Sequence, residues 1–191
     1  FKRVRSNFES FVQELIVRLS DEDKTLRGLE AGSCIFRINR DIRFSADKSP
    51  YKTNMGALII RGGRKNIHRI AGYYIHIEPG ESLTAGGAYM PPNEWLTAIR
   101  EKIIENPAEF LQIIENREFR KRFGSVDGEK LKKVPRGFDP HHPQAELVKY
   151  KSYLASRTYP DRNVVSHGFF ESVLNDFLAM KPLNDFLNSC N

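Results

Sequence analysis

Apolar side chains recur at a helical period near both ends of the chain and at a strand period between them. Phe8, Phe11, Val12, Leu15, Ile16 and Leu19 share one helical stripe, and Ser6 with Glu9 has the spacing of a capping box, so an amphipathic helix is expected to start at Ser6. "AGSCIFRIN" (31–39) then alternates: Cys34, Phe36 and Ile38 fall on one side, Ile35, Arg37 and Asn39 on the other, the pattern of a half-buried strand. Three more strands are expected in "GALIIR" (56–61), "IAGYYIHIE" (70–78) and "SLTAGGAYM" (82–90). The paired glycines of "GGRKN" suit a tight hairpin, and "EPGE" makes the next turn.

The second half returns to a helical period. "PPNEWLTAIREKIIE" places Trp95, Leu96, Ile99 and Ile103 on one stripe, "NPAEFLQIIE" restarts with Asn106 as N-cap and Pro107 in the first position, and "EFRKRFG" adds a further turn. Beyond a glycine- and proline-punctuated loop (126–143), "QAELVKY" reads as a short helix and "KSYLASRTY" as a fifth strand. The last helix carries Phe170, Val173, Leu174, Phe177 and Leu178, and Pro182 is predicted to interrupt or restart it. Strands joined by short turns pair antiparallel. Clustered strands flanked by clustered helices predict an α+β fold: a single antiparallel sheet of about five strands with helices packed mainly on one face, in one domain over 1–191.

Composition narrows the functional classes. Hydrophobic residues at 40% and charged residues at 28% exclude disordered and fibrous chains. No apolar run is long enough to cross a bilayer, and the start lacks the apolar centre of a secretory signal, which predicts a cytoplasmic protein without a membrane partner. Two cysteines make no disulfide framework, and Cys34 reads as a small buried hydrophobe. Thirty Lys and Arg against 24 Asp and Glu leave a net charge of +6, favouring anionic partners. Phosphate loops of the Walker or dinucleotide type are absent, as is a nucleophile elbow, and the cofactor, if there is one, is unknown from the sequence. Asp139, His141 and His142 of "DPHHP" match no zinc spacing, so no metal is expected.

Charge concentrates in "RDIRFSADKSPYKTN" (40–54), where Arg40, Arg43, Lys48 and Lys52 accompany Asp41 and Asp47. Surface ion pairs contribute only about 0–1 kcal/mol each, so stability alone explains such a segment poorly. In the following strand a period of two puts Tyr73, Ile75 and Ile77 towards the core and Tyr74, His76 and Glu78 on the other face. If the 40–54 loop folds over that face, its cations and the polar row form a basic cleft for an anionic, phosphate-bearing small molecule. His76 or Glu78 is then the candidate general acid or base, since an imidazole ordinarily titrates at about pH 6.5. The plainer alternatives are the wet face of an antiparallel sheet and a salt-bridged lid. "FRKRFG" and "KKVPRGFDP", with Lys132, Lys133 and Arg136, interleave cations with aromatics and keep a nucleic-acid-binding module in view. A partner-binding or structural domain is the third reading.

"RDIRFSADKSPYKTN", "GGRK", "AGYYIHIEPGES", "GGAYMPPNEWLTAIR", "VPRGFDPHHP" and "YKSYLASRTY" together resemble, in collinear order over nearly the whole chain, a widespread bacterial and fungal family of unknown function. The resemblance implies no activity. It implies that Arg40, Asp41, Arg43, Phe44, Asp47, Lys48, Pro50, Tyr51, Lys52 and Asn54 form a central motif, and that Tyr74, His76, Glu78, Pro79, Gly80, Arg136, Gly137 and Lys151 are further motif positions. Members of that family carry an asparagine-rich helical segment with a tryptophan ahead of the first helix, so such a segment is expected to be missing before residue 1. The resulting candidate site has Tyr74, His76 and Glu78 for chemistry and Arg40, Arg43, Lys48, Lys52, Asn54, Arg136 and Lys151 for the anion.

Overall fold

The computed structural model describes residues 2–39 and 48–191. Four strands, β1 (Met55–Ile59), β2 (Gly72–Ile77), β3 (Ser82–Ala88) and β4 (Tyr153–Tyr159), form one open sheet in the order β1-β2-β3-β4, every pair antiparallel. The register places Ala57 opposite Ile75, Ile75 opposite Thr84 and Thr84 opposite Arg157 on one face. On the other face Gly56 lies opposite His76, His76 opposite Leu83 and Leu83 opposite Thr158. The fold is thus α+β with a single antiparallel sheet, as the clustering of periods predicts.

Helices cover the first face. α1 (Lys2–Leu19) buries Val12, Leu15, Ile16 and Leu19, and its Phe11 stacks on Phe169 at 5.8 Å. α7 (Phe169–Asn188) lies across β3 and buries Val173, Phe177, Met180, Leu183 and Leu187. Gly86 makes that seat: a Cβ there would stand 2.7 Å from Met180 Sδ, so only glycine lets the helix approach. α3 (Asn93–Glu105), α4 (Pro107–Ile114) and α5 (Arg117–Phe123) follow β3, and α6 (Asp161–Val164) follows β4. Among the described residues no helix is long and apolar enough to cross a membrane.

One polar cluster is enclosed on the helix side. Asp176 of α7 is fully buried. Its Oδ1 accepts from Arg122 at 2.9 Å and Arg157 at 3.0 Å, and its Oδ2 from Thr84 at 2.9 Å and Tyr159 at 2.5 Å. A carboxylate inside a protein is tolerable when it is paired and hydrogen-bonded in this way. The cluster ties α7, α5, β3 and β4 together.

Four local expectations are corrected. α1 already runs from Lys2, so Ser6 is an exposed interior position and caps nothing; a cap preference of about 1 kcal/mol does not stop a helix that can propagate through solvent-facing residues. The expected strand 31–39 begins as a helical turn, α2 (Ala31–Cys34), because Ala31, Cys34 and Ile35 are buried together at a spacing that a turn satisfies and an alternating strand does not. The Ala31 amide donates to Gln13 Oε1 of α1 at 2.9 Å, and beyond the turn the described residues form single bridges, Ile35 to Ala57 and Asn39 to Tyr51. The "GGRKN" connection is no tight hairpin: Gly62 and Gly63 do take positive φ, 77° and 79°, but they lead into a 3-10 turn at Arg64–Asn66. Finally, α7 passes through Pro182 unbroken. The proline ring faces solvent while Met180, Leu183, Phe186 and Leu187 are buried around it, so packing outweighs one lost backbone hydrogen bond.

Candidate functional site

The face of the sheet opposite α1 and α7 carries small side chains. Gly56, Gly72, Ala85 and Gly87 floor a cavity of about 520 Å³, with Leu58, Leu83 and Leu154 beside them. Phe36, Ile67, Ile70 and Tyr89 wall it from the flanking loops, and Tyr74, Lys52, Asn54, Ser156 and Asp127 supply its polar groups. A largely apolar concavity with a few convergent polar groups is the usual form of a small-molecule site.

Tyr74, His76 and Glu78 project from β2 on this side as a hydrogen-bonded row. His76 Nε2 is 2.9 Å from Glu78 Oε2, and His76 Nδ1 is 3.0 Å from the Tyr74 hydroxyl. Glu78 also accepts from the Thr53 hydroxyl and, at 3.4 Å, from Asn54 Nδ2. The Thr53 hydrogen bond first, and that of His76 next, hold the Glu78 carboxyl below the usual carboxylate range. An ionised carboxylate only accepts, so Nε2 of the imidazole carries the hydrogen of that contact. Burial, followed by the charge of Glu78, raises the Tyr74 pKa, so Tyr74 stays a phenol.

Gly56 makes this geometry possible. It pairs with His76 across the β1–β2 ladder, and a Cβ on it would stand 2.8 Å from the Tyr74 hydroxyl oxygen. The phenol therefore lies over a bare backbone to reach the imidazole, while Phe36 meets its ring edge-on at 6.2 Å.

The row offers two hydrogen-bonding states. With neutral His76, the Tyr74 hydroxyl donates to Nδ1 and presents lone pairs to the cavity. With a second proton on the imidazole, Nδ1 donates to the phenol oxygen, and the hydroxyl hydrogen turns towards whatever the cavity holds. Ring and carboxylate are part-exposed, at 17% and 18%, so the row is in reach of solvent protons.

The cations expected around this site are dispersed. Lys52 lines the cavity, and Asn54 lines it while bound to Glu78. Arg40 and Arg43 lie outside the described residues, as do Asp41, Phe44 and Asp47. Lys48 is exposed just ahead of Lys52, and Arg136 is exposed and lines neither described cavity. Lys151 belongs to a second cavity and pairs with Glu129. Among the described residues the charged lining of the first cavity is one lysine and one aspartate, on opposite edges of the sheet: Lys52 precedes β1 and Asp127 bridges β4. Asp139 and His142 act locally, accepting from the amides of His141 at 2.8 Å and Gln144 at 3.0 Å.

Thr53, Gly56 and Asp127 are site residues that the sequence reading passed over. Gly56 had a legible signal, since a glycine inside a strand marks a close approach. Thr53 and Asp127 had none, because their roles depend on which segments the fold brings together.

Fold and site together define an α+β protein built on an open antiparallel meander, helix-backed on one side and concave on the other. The chain belongs to the family described as conserved hypothetical protein (DUF2461), a domain of unknown function whose match runs over residues 1–186. No curated protein and no solved structure matches it.

Proposed function

We propose that the domain binds a small cytoplasmic anion with an apolar body, phosphate-bearing by preference, on the concave face of its sheet, and that Tyr74, His76 and Glu78 exchange a proton with it. The observation that carries this reading is the meeting of a roughly 520 Å³ apolar-floored cavity with a hydrogen-bonded phenol–imidazole–carboxylate row. Asn54 hydrogen-bonds Glu78, Lys52 lines the same cavity, and the two would take the anionic group, the lysine as a point charge. Tyr74 acts as the group in contact, donating or accepting according to the proton on His76. Glu78 fixes the imidazole tautomer, as a carboxylate does behind a histidine in acid–base sites.

Phenyl phosphate tests the reading, because its ring suits the floor and its phosphate suits Lys52. Saturable shifts of the Ile67, Ile70 and Tyr74 resonances are expected, weakened about tenfold or more in Lys52→Ala. Benzyl alcohol binding as tightly as phenyl phosphate would remove the anion from the proposal. Binding of single-stranded DNA with a steep linear dependence on log salt would instead favour the nucleic-acid reading.

A further inference from the structure

A second cavity, of about 540 Å³, opens where the start of α3 meets the ribbon 128–131 and the approach to β4. Its wall includes Arg100, which is buried, with 7% of its surface exposed. Arg100 Nη2 donates to the Tyr150 carbonyl at 2.9 Å, whereas Nε is buried and has no hydrogen-bond partner. Among the described residues no carboxylate pairs with this guanidinium. The Tyr153 phenol is its other polar neighbour, and that hydroxyl is uncharged and already donates to the Leu147 carbonyl at 2.9 Å. Interior charges are ordinarily paired, so an arginine enclosed this deeply with only a carbonyl and a phenol beside it is a charge that the chain itself leaves uncompensated.

The remaining lining defines what would compensate it. Ser152 Oγ accepts the Met90 amide at 2.9 Å, which leaves its own hydroxyl hydrogen to donate. That contact helps hold Met90 in the left-handed region at φ 43°, unusual for a non-glycine residue. Asn93, the first residue of α3, also borders the cavity, and the unbonded amides of a first helical turn favour negative charge. Lys151 and Glu129 pair with each other, so the net charge of the lining is one positive, that of Arg100. A phosphate dianion would overcompensate it; a single carboxylate matches it and suits a planar guanidinium fork. Leu96 and Leu131 supply an apolar wall.

We propose that this second cavity binds an organic monocarboxylate, its carboxylate on Arg100 and Ser152 and its hydrocarbon part against Leu96 and Leu131. The site shares no charged residue with the first cavity and adjoins it at Tyr89 and Leu154.

Benzoate, with the neutral benzamide as control, tests the proposal in titrations of the intact chain that follow the Leu96 and Leu131 methyl resonances. Benzoate is expected to shift both saturably and to bind at least about tenfold tighter than benzamide. Arg100→Met, close in volume and apolar like its neighbours, is expected to fold and to lose that preference. Leu131→Trp provides a second arm that leaves the guanidinium in place: filling the cavity from its part-exposed rim is expected to block benzoate. Lys52→Ala should leave benzoate binding intact, which separates this site from the one that takes phenyl phosphate. Equal binding of benzamide and benzoate, undiminished benzoate binding in either Arg100→Met or Leu131→Trp, or no saturation at the two leucines would overturn it.

Discussion

The two faces of one sheet each carry a cluster of hydrogen-bonded polar side chains, and they are built to opposite ends. Behind the sheet, Asp176 is fully buried, and four donors from three other elements occupy its two oxygens. In front, Tyr74, His76 and Glu78 are partly exposed, lie beside a cavity and include an imidazole whose two nitrogens can exchange roles. A carboxylate neutralised from every side has nothing left to offer a ligand and serves as a clasp. A row whose imidazole and carboxylate are both part-exposed keeps its chemistry available.

The largest effect should come from breaking the clasp. Asp176→Ala leaves Arg122 and Arg157 facing each other with the Tyr159 and Thr84 hydroxyls unpaired, and removing one member of a buried ionic cluster costs about 3–5 kcal/mol. Urea unfolding followed by circular dichroism measures it. A loss under about 1 kcal/mol would mean that the cluster relaxes into solvent and is no more structural than the row in front.

Burial of that clasp and the row in front were unequally legible in the sequence. Tyr74, His76 and Glu78 follow from a period of two and nothing else, and burial in β2 alternates with that period from Tyr73 to His76. Asp176 occupies an apolar register of α7, between Val173 and Met180, and an acid in that position is itself a signal of a buried partner. Its four donors, however, come from α5, β3 and β4, which only the fold brings together. Ala31–Cys34 was hidden for the same reason: its helical turn is fixed by Gln13 of α1 and by burial, against an alternation that locally favours a strand. Arg100 looks like an ordinary charge on an amphipathic helix until the fold buries it beside the Tyr150 carbonyl and the Tyr153 phenol. The antiparallel pairing of β1, β2 and β3, by contrast, was legible, because consecutive strands with short connections have few alternatives to a meander, whereas the place of β4 beside β3, across three intervening α-helices, was not.

A smaller, local change sharpens the comparison. Gly56→Ala brings a methyl group to within 2.8 Å of the Tyr74 hydroxyl, and the phenol must swing away from His76. Overpacking of this kind costs about 1–3 kcal/mol, and the lower end applies here because the displaced atom is the far end of a side chain that can move towards the cavity. The diagnostic readout is the imidazole nitrogen spectrum of His76, in which the Nδ1 signal should lose the signature of an accepted hydrogen bond. An unchanged spectrum together with unchanged stability would show that the phenol–imidazole contact does not depend on the bare backbone beneath it.

The smallest effect is a pH dependence carried by one carboxylate. The folded-state pKa of Glu78 is depressed, by the Thr53 hydroxyl first and His76 next. A depressed carboxylate pKa means that the folded state binds the proton less readily than the unfolded chain, so the contribution of Glu78 is fully present above an unfolded pKa of about 4.3 and is lost as pH falls through the lower folded value. Glu78→Gln removes that ionisation and keeps the shape. The melting temperature of the wild type should therefore exceed that of Glu78→Gln at neutral pH, with the gap closing as the pH falls below about 4.3. The Glu146 carboxyl, held low mainly by Lys149, titrates over the same acid range in both proteins, so the difference between them isolates Glu78. A gap that stays constant from neutral pH into acid would mean that the glutamine loses packing rather than charge. The row in front of the sheet would then resemble the clasp behind it, a structural arrangement with no proton to give.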